Sequence, residues 1–307
     1  MVGVKTTTQN VLGGPEVLTI AEVPVPEPGP SQLLVRVKAA GLNPTDWKHR
    51  SGKLFLPEPP LTLGWDVSGV VEKTGFGVTL FKPGDEVFGM LPYPGGHGSH
   101  AEYVTGPARA FARKPANLDH IQAGAVPLAA LTAWQALVDT ANVQPGQRVL
   151  IHAAAGGVGH LAVQIAKARG AYVIGTASAG NHELVTGLGA DEMIDYRTTD
   201  FTEAVKDIDI VLDPMGGEYT TRSFRVLRPG GIVVTIVGGS AEVPDGVRHV
   251  RMLVEADHTG MDAIRELAEE GKLRPVIAAS FPLTEVAKAH ATGETGHVAG
   301  KLVLTMD

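Results

Sequence analysis

The chain of 307 residues contains no cysteine. Disulfide bonds, thiolate metal ligands and a cysteine nucleophile are therefore excluded together. Basic residues are also few, since 26 lysines and arginines face 33 acidic residues and give a formal net charge of −7. Nucleic-acid binding needs clustered positive charge, which no segment of this chain provides, so we expect no nucleic-acid partner.

Long hydrophobic runs are missing as well. No stretch is long and apolar enough to span a bilayer, and residues 1–6 lack the apolar core of a signal peptide. We therefore expect a soluble, cytoplasmic protein with no membrane partner. Apolar residues still make up 44% of the chain, which is enough for sizeable cores, and a chain of this length usually forms two domains.

The first third of the chain predicts a β-rich domain. Short apolar runs at 33–39, 67–73 and 86–89 are typical of half-buried strands, and Pro-Gly and Gly-Pro steps separate them. Short apolar runs typical of strands occur again at 276–279 and 301–304. We therefore expect residues 1–123 and 259–307 to form one split domain.

Between these parts, residues 124–258 alternate short apolar strands with amphipathic helices. This alternation predicts βαβ units and an α/β, doubly wound parallel sheet. In this part, the predicted helix covers 159–169 and the predicted strands cover 149–152, 172–176, 192–195, 208–212, 232–236 and 250–254, and a further helix is predicted after it at 262–270.

A glycine-rich turn follows the first of these strands and opens the first helix. The turn fits the pattern G-x-G-x-x-G with alanine in the first position, and it reads Ala154-Ala155-Gly156-Gly157-Val158-Gly159. Gly156 lets the backbone approach a pyrophosphate, and Gly159 lets the helix pack closely on the strand. The positive end of the helix favours the anion. A flexible turn is the alternative, but the strand before it and the helix after it predict a dinucleotide site.

The end of the second strand indicates which dinucleotide binds. A site selective for NAD usually has an acidic residue there for the ribose hydroxyls, and this chain has none before Glu183. Thr176, Ser178 and Asn181 can donate hydrogen bonds to a 2′-phosphate, and Tyr196 and Arg197 follow the third strand. We therefore predict NADPH as the cofactor, although these residues would also suit an ordinary polar loop.

Several motifs in order resemble the medium-chain dehydrogenase/reductase superfamily, in its zinc-independent quinone oxidoreductase (zeta-crystallin-like) branch. The similarity extends from about Leu12 to Leu304, and the residues that carry it lie at 13–18, 40–47, 64–71, 82–87, 101–103, 131–134 and 296–301. The resemblance implies a GroES-like catalytic domain and a Rossmann domain.

The resemblance also predicts whether the chain binds zinc. The alcohol dehydrogenase branch has cysteine at the position of Asn43 and a His-Glu pair at Trp65 and Asp66, and the four-cysteine structural lobe is missing here. Zinc needs three or four suitable ligands, so the resemblance implies no metal. His97 and His100 lie in a glycine-rich loop and could form a residual metal pair, but we expect them to be solvated loop residues.

Candidate catalytic residues come from the same comparison. Without a metal, the reaction that remains is hydride transfer to an activated acceptor, a quinone or an α,β-unsaturated carbonyl. By resemblance, Asn43 lies beside the nicotinamide and the substrate, where its amide can donate to the developing oxyanion. Asp46 would orient Asn43 or a water, or else make only a local turn bond. Thr132 matches a threonine that contacts the nicotinamide, or else bonds its own helix backbone.

Further cofactor contacts are implied by resemblance alone. Gly238 and Gly239 correspond to backbone that approaches the nicotinamide carboxamide. Lys301 corresponds to a residue that reaches the cofactor, although a solvated surface lysine is the alternative. Two other functions stay open, namely an enoyl-thioester reductase and a non-catalytic NADPH-binding sensor or structural protein. The resemblance also suggests a homodimer in which the edge strand at 250–254 pairs across a two-fold axis.

Overall fold

The computed structural model describes residues 3–52 and 58–306 and divides into two compact units. The first unit consists of the chain up to Ala129 together with Glu255–Glu269 and the segment from Pro275 to the end. The second unit consists of Ala130–Val254 and Glu270–Arg274. The predicted boundaries at 123/124 and 258/259 differ from these. Helix α2 (His120–Gly124) packs on the strands of the first unit, which carries the first boundary past it.

The first unit is built around a seven-stranded sheet, in which the strands follow the order β14-β15-β3-β4-β5-β7 and β6 pairs with β3. A separate antiparallel pair is formed by β1 and β2. Besides α2, the elements are β1 (Gly3–Thr8), β2 (Thr19–Pro24), β3 (Gln32–Leu42), α1 (Pro44–Arg50), β4 (Asp66–Thr74), β5 (Glu86–Met90), β6 (Tyr103–Pro107), β7 (Phe111–Arg113), α8 (His258–Glu269), β14 (Ile277–Pro282), α9 (Val286–Glu294) and β15 (Lys301–Thr305).

Strand β3 is central to this unit. Its side chains Leu33, Val35 and Val37 are buried, as its apolar alternation predicts. The C-terminal strand β15 pairs antiparallel with β3, and Leu302 lies opposite Leu42. The end of the chain therefore returns to the first unit and brings its lysine beside the residues that follow β3.

The second unit is a six-stranded, wholly parallel sheet in the order β10-β9-β8-β11-β12-β13. Its elements are α3 (Pro127–Trp134), which begins before the boundary, a π-helical stretch (Gln135–Thr140), β8 (Arg148–Ile151), α4 (Gly159–Ala168), β9 (Tyr172–Ala177), α5 (His182–Gly187), β10 (Glu192–Asp195), α6 (Phe201–Ala204), β11 (Ile208–Asp213), α7 (Glu218–Ser223), β12 (Leu227–Thr235) and β13 (Arg248–Arg251).

This order is that of a Rossmann fold, and the predicted α/β architecture is confirmed. The direction of strand addition reverses between β8 and β11, where ligands bind at the carboxyl ends of the strands. The buried core of the sheet includes Leu150, Ile174, Val211 and Val233. The glycine-rich turn follows β8 directly and therefore lies at the reversal.

The predicted last strand is shifted. We expected residues 250–254, whereas β13 covers Arg248–Arg251, because Thr235 at the end of β12 pairs with Arg251. The apolar residues that suggested a longer strand lie beyond the ladder. Strand β13 is an edge strand, and the homodimer through it stays a prediction. Within residues 3–52 and 58–306, no helix is long and apolar enough to cross a membrane, and the cytoplasmic location also stays a prediction.

Candidate functional site

The glycine-rich turn in the second unit packs so closely on the residue before it that Gly159 has no room for a side chain. Ala153 adopts a positive φ of 49°, and the Gly156 amide donates to its carbonyl oxygen at 2.8 Å. A Cβ on Gly159 would lie 2.2 Å from that same oxygen. Within the described part of the chain, the amides of Gly157 and Val158 have no backbone acceptor. The turn thus presents free N–H groups at the start of α4, as an anion site requires.

Two side chains hold this turn on the neighbouring strand. Thr176 was predicted as a phosphate donor, but it is 2% exposed and its hydroxyl accepts a hydrogen bond from the Ala153 amide at 3.2 Å. Buried His152 lies between this hydroxyl at 3.3 Å and Ser223 Oγ at 3.0 Å, and burial lowers its pKa to about 4. Thr176 therefore stabilises the conformation of the turn through this hydrogen bond to its backbone.

The remaining predicted phosphate contacts lie at the ends of β9 and β10. Asn181 Nδ2 donates to Ser178 Oγ at 3.3 Å, and both side chains are partly exposed. Tyr196 and Arg197 line a cavity of about 300 Å³ together with residues of α6 and α7, among them Arg222. Arg222 pairs with Asp200 at 2.6 Å, whereas Arg197 makes no ion pair with any residue that the structure describes. Arg197 is thus the cation that remains available to a phosphate.

The other predicted site residues of the second unit lie after β12 and within α3. Gly238 and Gly239 are exposed after β12, and Gly239 has a φ of 137° that suits glycine. Thr132 is 4% exposed within α3. Sequence reasoning did not identify Asp213, at the end of β11, whose carboxylate accepts from the amides of Met215 and Gly216 and orders the next loop.

In the first unit, the side chain of Asn43 is held by two charged groups. Its Nδ2 donates to Asp66 Oδ2 at 2.9 Å, and its Oδ1 accepts from the ammonium of Lys301. A carboxylate only accepts hydrogen bonds and an ammonium only donates them, so these partners determine which end of the amide is oxygen. Asn43 is 2% exposed and has one remaining amide hydrogen.

Lys301 is not a solvated surface residue. It is 3% exposed, and its ammonium also donates to the carbonyl of Leu42 at 2.9 Å and lies 3.5 Å from Asp66 Oδ2. Burial lowers the pKa of Lys301 and raises that of Asp66, and each charge opposes the shift of the other. The Leu128 amide donates to the second oxygen of Asp66 at 2.6 Å, so the pair is fully hydrogen-bonded.

These residues do not suit zinc. Where the resemblance places zinc ligands, the structure has an amide, an indole and a carboxylate, and the ammonium of Lys301 contacts both Asn43 and Asp66. A metal would have to displace that cation. No group of three or more metal-ligating side chains occurs among residues 3–52 and 58–306.

Asp46 and His100 complete the buried region. The backbone amide of Asn43 donates to Asp46 Oδ2 at 2.7 Å in the first turn of α1, which is the local turn bond given as the alternative role of Asp46. A role in orienting the Asn43 side chain or a water stays a prediction. Burial raises the pKa of Asp46 to about 7, although the Asn43 amide opposes the shift. The expectation of a solvated loop is wrong for His100, which is 0% exposed because Gly64 leaves room for its ring. His97 is partly exposed and bonds the carbonyl of Thr62.

The chain matches two family models. Residues 29–116 match a model described as the alcohol dehydrogenase GroES-like domain, and residues 188–304 match one described as zinc-binding dehydrogenase. A mitochondrial protein of Mus musculus, "NAD(P)H oxidoreductase RTN4IP1", is 36% identical and covers 90% of this chain and 82% of its own length. The "NADPH-dependent alkenal/one oxidoreductase, chloroplastic" of Arabidopsis thaliana is 38% identical, with 95% and 77% covered.

Solved structures agree with these relatives. The quinone oxidoreductase from Coxiella burnetii has a TM-score of 0.92 at 36% identity and covers the whole of both chains. The Escherichia coli quinone oxidoreductase complexed with NADPH has a TM-score of 0.88 at 29% identity, with 98% and 99% covered. The CurK enoyl reductase reaches 0.89 at 29%, with 99% of both chains covered. The chain therefore belongs to the medium-chain dehydrogenase/reductase superfamily, with relatives among its quinone oxidoreductases.

Proposed function

We propose that the chain is an oxidoreductase that uses NADPH to reduce a quinone or an α,β-unsaturated carbonyl, without zinc. The observation that carries this proposal is the Asn43 amide, which Lys301 and Asp66 hold with one hydrogen still available. Relatives named for NAD(P)H, alkenal and quinone substrates support the same reaction class.

The second unit offers the means to hold the cofactor. The pyrophosphate would accept from the free amides of Gly157 and Val158, in the turn where Gly159 keeps α4 close to the strand. Ser178, Asn181 and Arg197 would bind the 2′-phosphate. NADPH supplies a hydride when it is bound, and the residues of the chain orient it and exclude competing reactions.

Asn43 would stabilise the charge that the hydride brings. Reduction of a quinone or an enone leaves negative charge on a carbonyl oxygen, to which the remaining hydrogen on Asn43 Nδ2 can donate. The ammonium of Lys301 withdraws electron density from the oxygen end of the same amide, and this strengthens the donor at the other end. Lys301 thus provides positive charge where a Lewis acid would otherwise be needed.

The test is NADPH oxidation measured with a small quinone, an enone and an enoyl thioester. We expect turnover of the quinone or the enone, and a loss of about 10²- to 10³-fold in kcat when Asn43→Ala removes the donor. NADPH binding, followed by nicotinamide fluorescence, serves as the control for correct folding. Inactivity of the wild-type protein toward every quinone and enone would contradict the proposal.

The same assay separates the second candidate function. The CurK structure is titled an enoyl reductase, and its similarity over 99% of both chains favours an enoyl thioester as the alternative acceptor. Faster turnover of the thioester than of the small quinone would select that function. NADPH binding with no turnover, unchanged by Asn43→Ala, would indicate a sensor or structural protein.

Cofactor selectivity is predicted to depend on Arg197. Replacing Arg197 with alanine should weaken NADPH binding by about tenfold or more and change NADH binding little, since a charge-assisted hydrogen bond contributes roughly 1.5–3 kcal/mol. Binding titrations with both dinucleotides measure the ratio. The matched control is Arg169→Ala, an exposed arginine just after α4. Equal losses for NADPH and NADH would show that Arg197 does not contact the 2′-phosphate.

A further inference from the structure

Four ionisable side chains of the first unit are buried beside α1 and have no role in the mechanism so far. Asp46, His100 and His290 are 0% exposed, and Arg50 is 1% exposed. They come from α1, from the segment before β6 and from α9. Close packing of α9 on α1 brings them together, because Gly293 leaves room for the ring of Trp47.

Their contacts form a row that leads from Asp46 to the surface. Asp46 Oδ1 lies 3.9 Å from His100 Nε2, and the His100 and His290 rings meet edge to face with centroids 5.9 Å apart. Arg50 donates to His290 Nδ1 at 3.1 Å and pairs with Glu294 at 2.6 Å. The Glu294 side chain is 34% exposed, so the row ends at solvent.

Several polar atoms in this row make no hydrogen bond. Within the described residues, they are Asp46 Oδ1, both ring nitrogens of His100 and His290 Nε2. Buried polar atoms are nearly always paired, so the exceptions call for an explanation. Asp46 Oδ1 and His100 Nε2, at 3.9 Å, are too far apart for a hydrogen bond, so the neutral imidazole does not stabilise an ionised Asp46. A carboxylate at this position would therefore keep one oxygen without a donor within hydrogen-bond distance.

The balance of charges in the region also favours a protonated Asp46. Arg50 is balanced by Glu294, and Lys301 is balanced by Asp66. An ionised Asp46 would then be the one uncompensated charge among them, in a place with no access to water. Burying an unpaired charge costs more free energy than neutralising it, so the carboxyl keeps its proton.

Some groups around Asp46 raise its pKa and others lower it. Burial is the largest influence and raises its pKa to about 7, Asp66 raises it further, and Lys301 lowers it. Burial keeps the pKa of His100 near 3, so the imidazole itself is neutral. The titratable groups that face this region from the neighbouring elements are Asp66 on β4, Tyr93 after β5, His100 before β6, His290 on α9 and Lys301 on β15.

We propose that Asp46 holds a proton at neutral pH, because it is buried where the two neighbouring cations already have carboxylate partners, and that this proton keeps the surroundings of Asn43 neutral enough to stabilise negative charge on the substrate. The second half of this inference rests on the proposed function, whereas the protonation of Asp46 does not. Loss of the proton leaves a carboxylate close to Asn43, and its field opposes the developing oxyanion. Asp46 is therefore a positioning residue that acts through Asn43.

The proton on Asp46 can be measured in the cofactor-free protein. Infrared spectra across a pH series report the carbonyl band of a protonated carboxylic acid, and Asp46→Asn identifies the band by removing it. We expect a midpoint near the pKa of about 7 in the wild-type protein, and a higher midpoint in His100→Phe, which makes the surroundings of Asp46 more apolar and disfavours the carboxylate. Titration of Asp46 in the ordinary range of a carboxyl would overturn the proposal.

The effect on catalysis is tested by pH profiles of kcat/KM. Asparagine at position 46 stays neutral at every pH and still offers an oxygen to the Asn43 amide. We expect the wild-type rate to fall about tenfold per pH unit above the midpoint, and this fall to be absent in Asp46→Asn. An alkaline fall that persists in Asp46→Asn would overturn the catalytic half. A wild-type protein with no turnover would contradict the proposed function, while the infrared titration would still decide whether Asp46 holds a proton at neutral pH.

Discussion

Replacement of Lys301 by methionine is expected to lower the free energy of unfolding by about 3–5 kcal/mol and to remove most of the activity. Methionine keeps the volume of the side chain but leaves Asp66 without its cation and Asn43 Oδ1 without its donor. The amide would then be free to rotate. Urea unfolding gives the loss of stability, and kcat/KM toward the preferred acceptor gives the loss of activity.

The expected loss depends on pH. Without the ammonium, the folded-state pKa of Asp66, already raised by burial, rises further above its unfolded value. The folded protein then binds a proton that the unfolded chain releases, so stability is retained at low pH and is lost as pH rises through the folded pKa. Lys301→Met should therefore be least harmful in acid.

A double variant provides the matched control. Lys301→Met with Asp66→Asn removes both charges and keeps an oxygen for the Asn43 amide to donate to. We expect it to be more stable than Lys301→Met alone at neutral pH, with a coupling free energy within roughly 0.5–3 kcal/mol. Additive losses would show that the two charges do not stabilise each other.

Replacement of Gly159 by alanine is expected to destabilise the second unit and to weaken NADPH binding at least tenfold. The new Cβ would lie 2.2 Å from the carbonyl oxygen of Ala153 and 2.8 Å from the Cα of Ala154, so α4 must move away from β8. Forcing such overpacking costs about 1–3 kcal/mol, and it displaces the amides that face the pyrophosphate. Thermal unfolding and nicotinamide fluorescence measure the two effects.

Gly187→Ala is the control for this prediction. Gly187 ends α5 in the same unit, and a Cβ there meets nothing within 4 Å. Alanine at that position should leave NADPH binding unchanged and should not destabilise the fold. If Gly159→Ala behaved like Gly187→Ala, the glycine would not be required for the approach of the helix to the turn.

Much of the second unit follows from local patterns. The strand at 192–195 and the helix beginning at Gly159 lie where apolar periodicity and the glycine-rich turn predict them. The prediction is less accurate for the end of β13. Its pairing with β12, and not its apolar character, determines where this edge strand ends. Thr176 was expected to contact phosphate, but whether a hydroxyl faces a ligand or the turn beneath it depends on side-chain packing.

The sequence by itself determined the parallel α/β sheet and the glycine-rich turn that opens α4, because both depend on residues that are neighbours in the chain. Only the tertiary structure placed Lys301 against Asn43, 258 positions away, and His100 against Asp46. Strand pairing between β3 and β15 and packing of α9 on α1 bring these residues together. Burial then changes their pKa values, and no pattern in the sequence shows how much water a side chain retains.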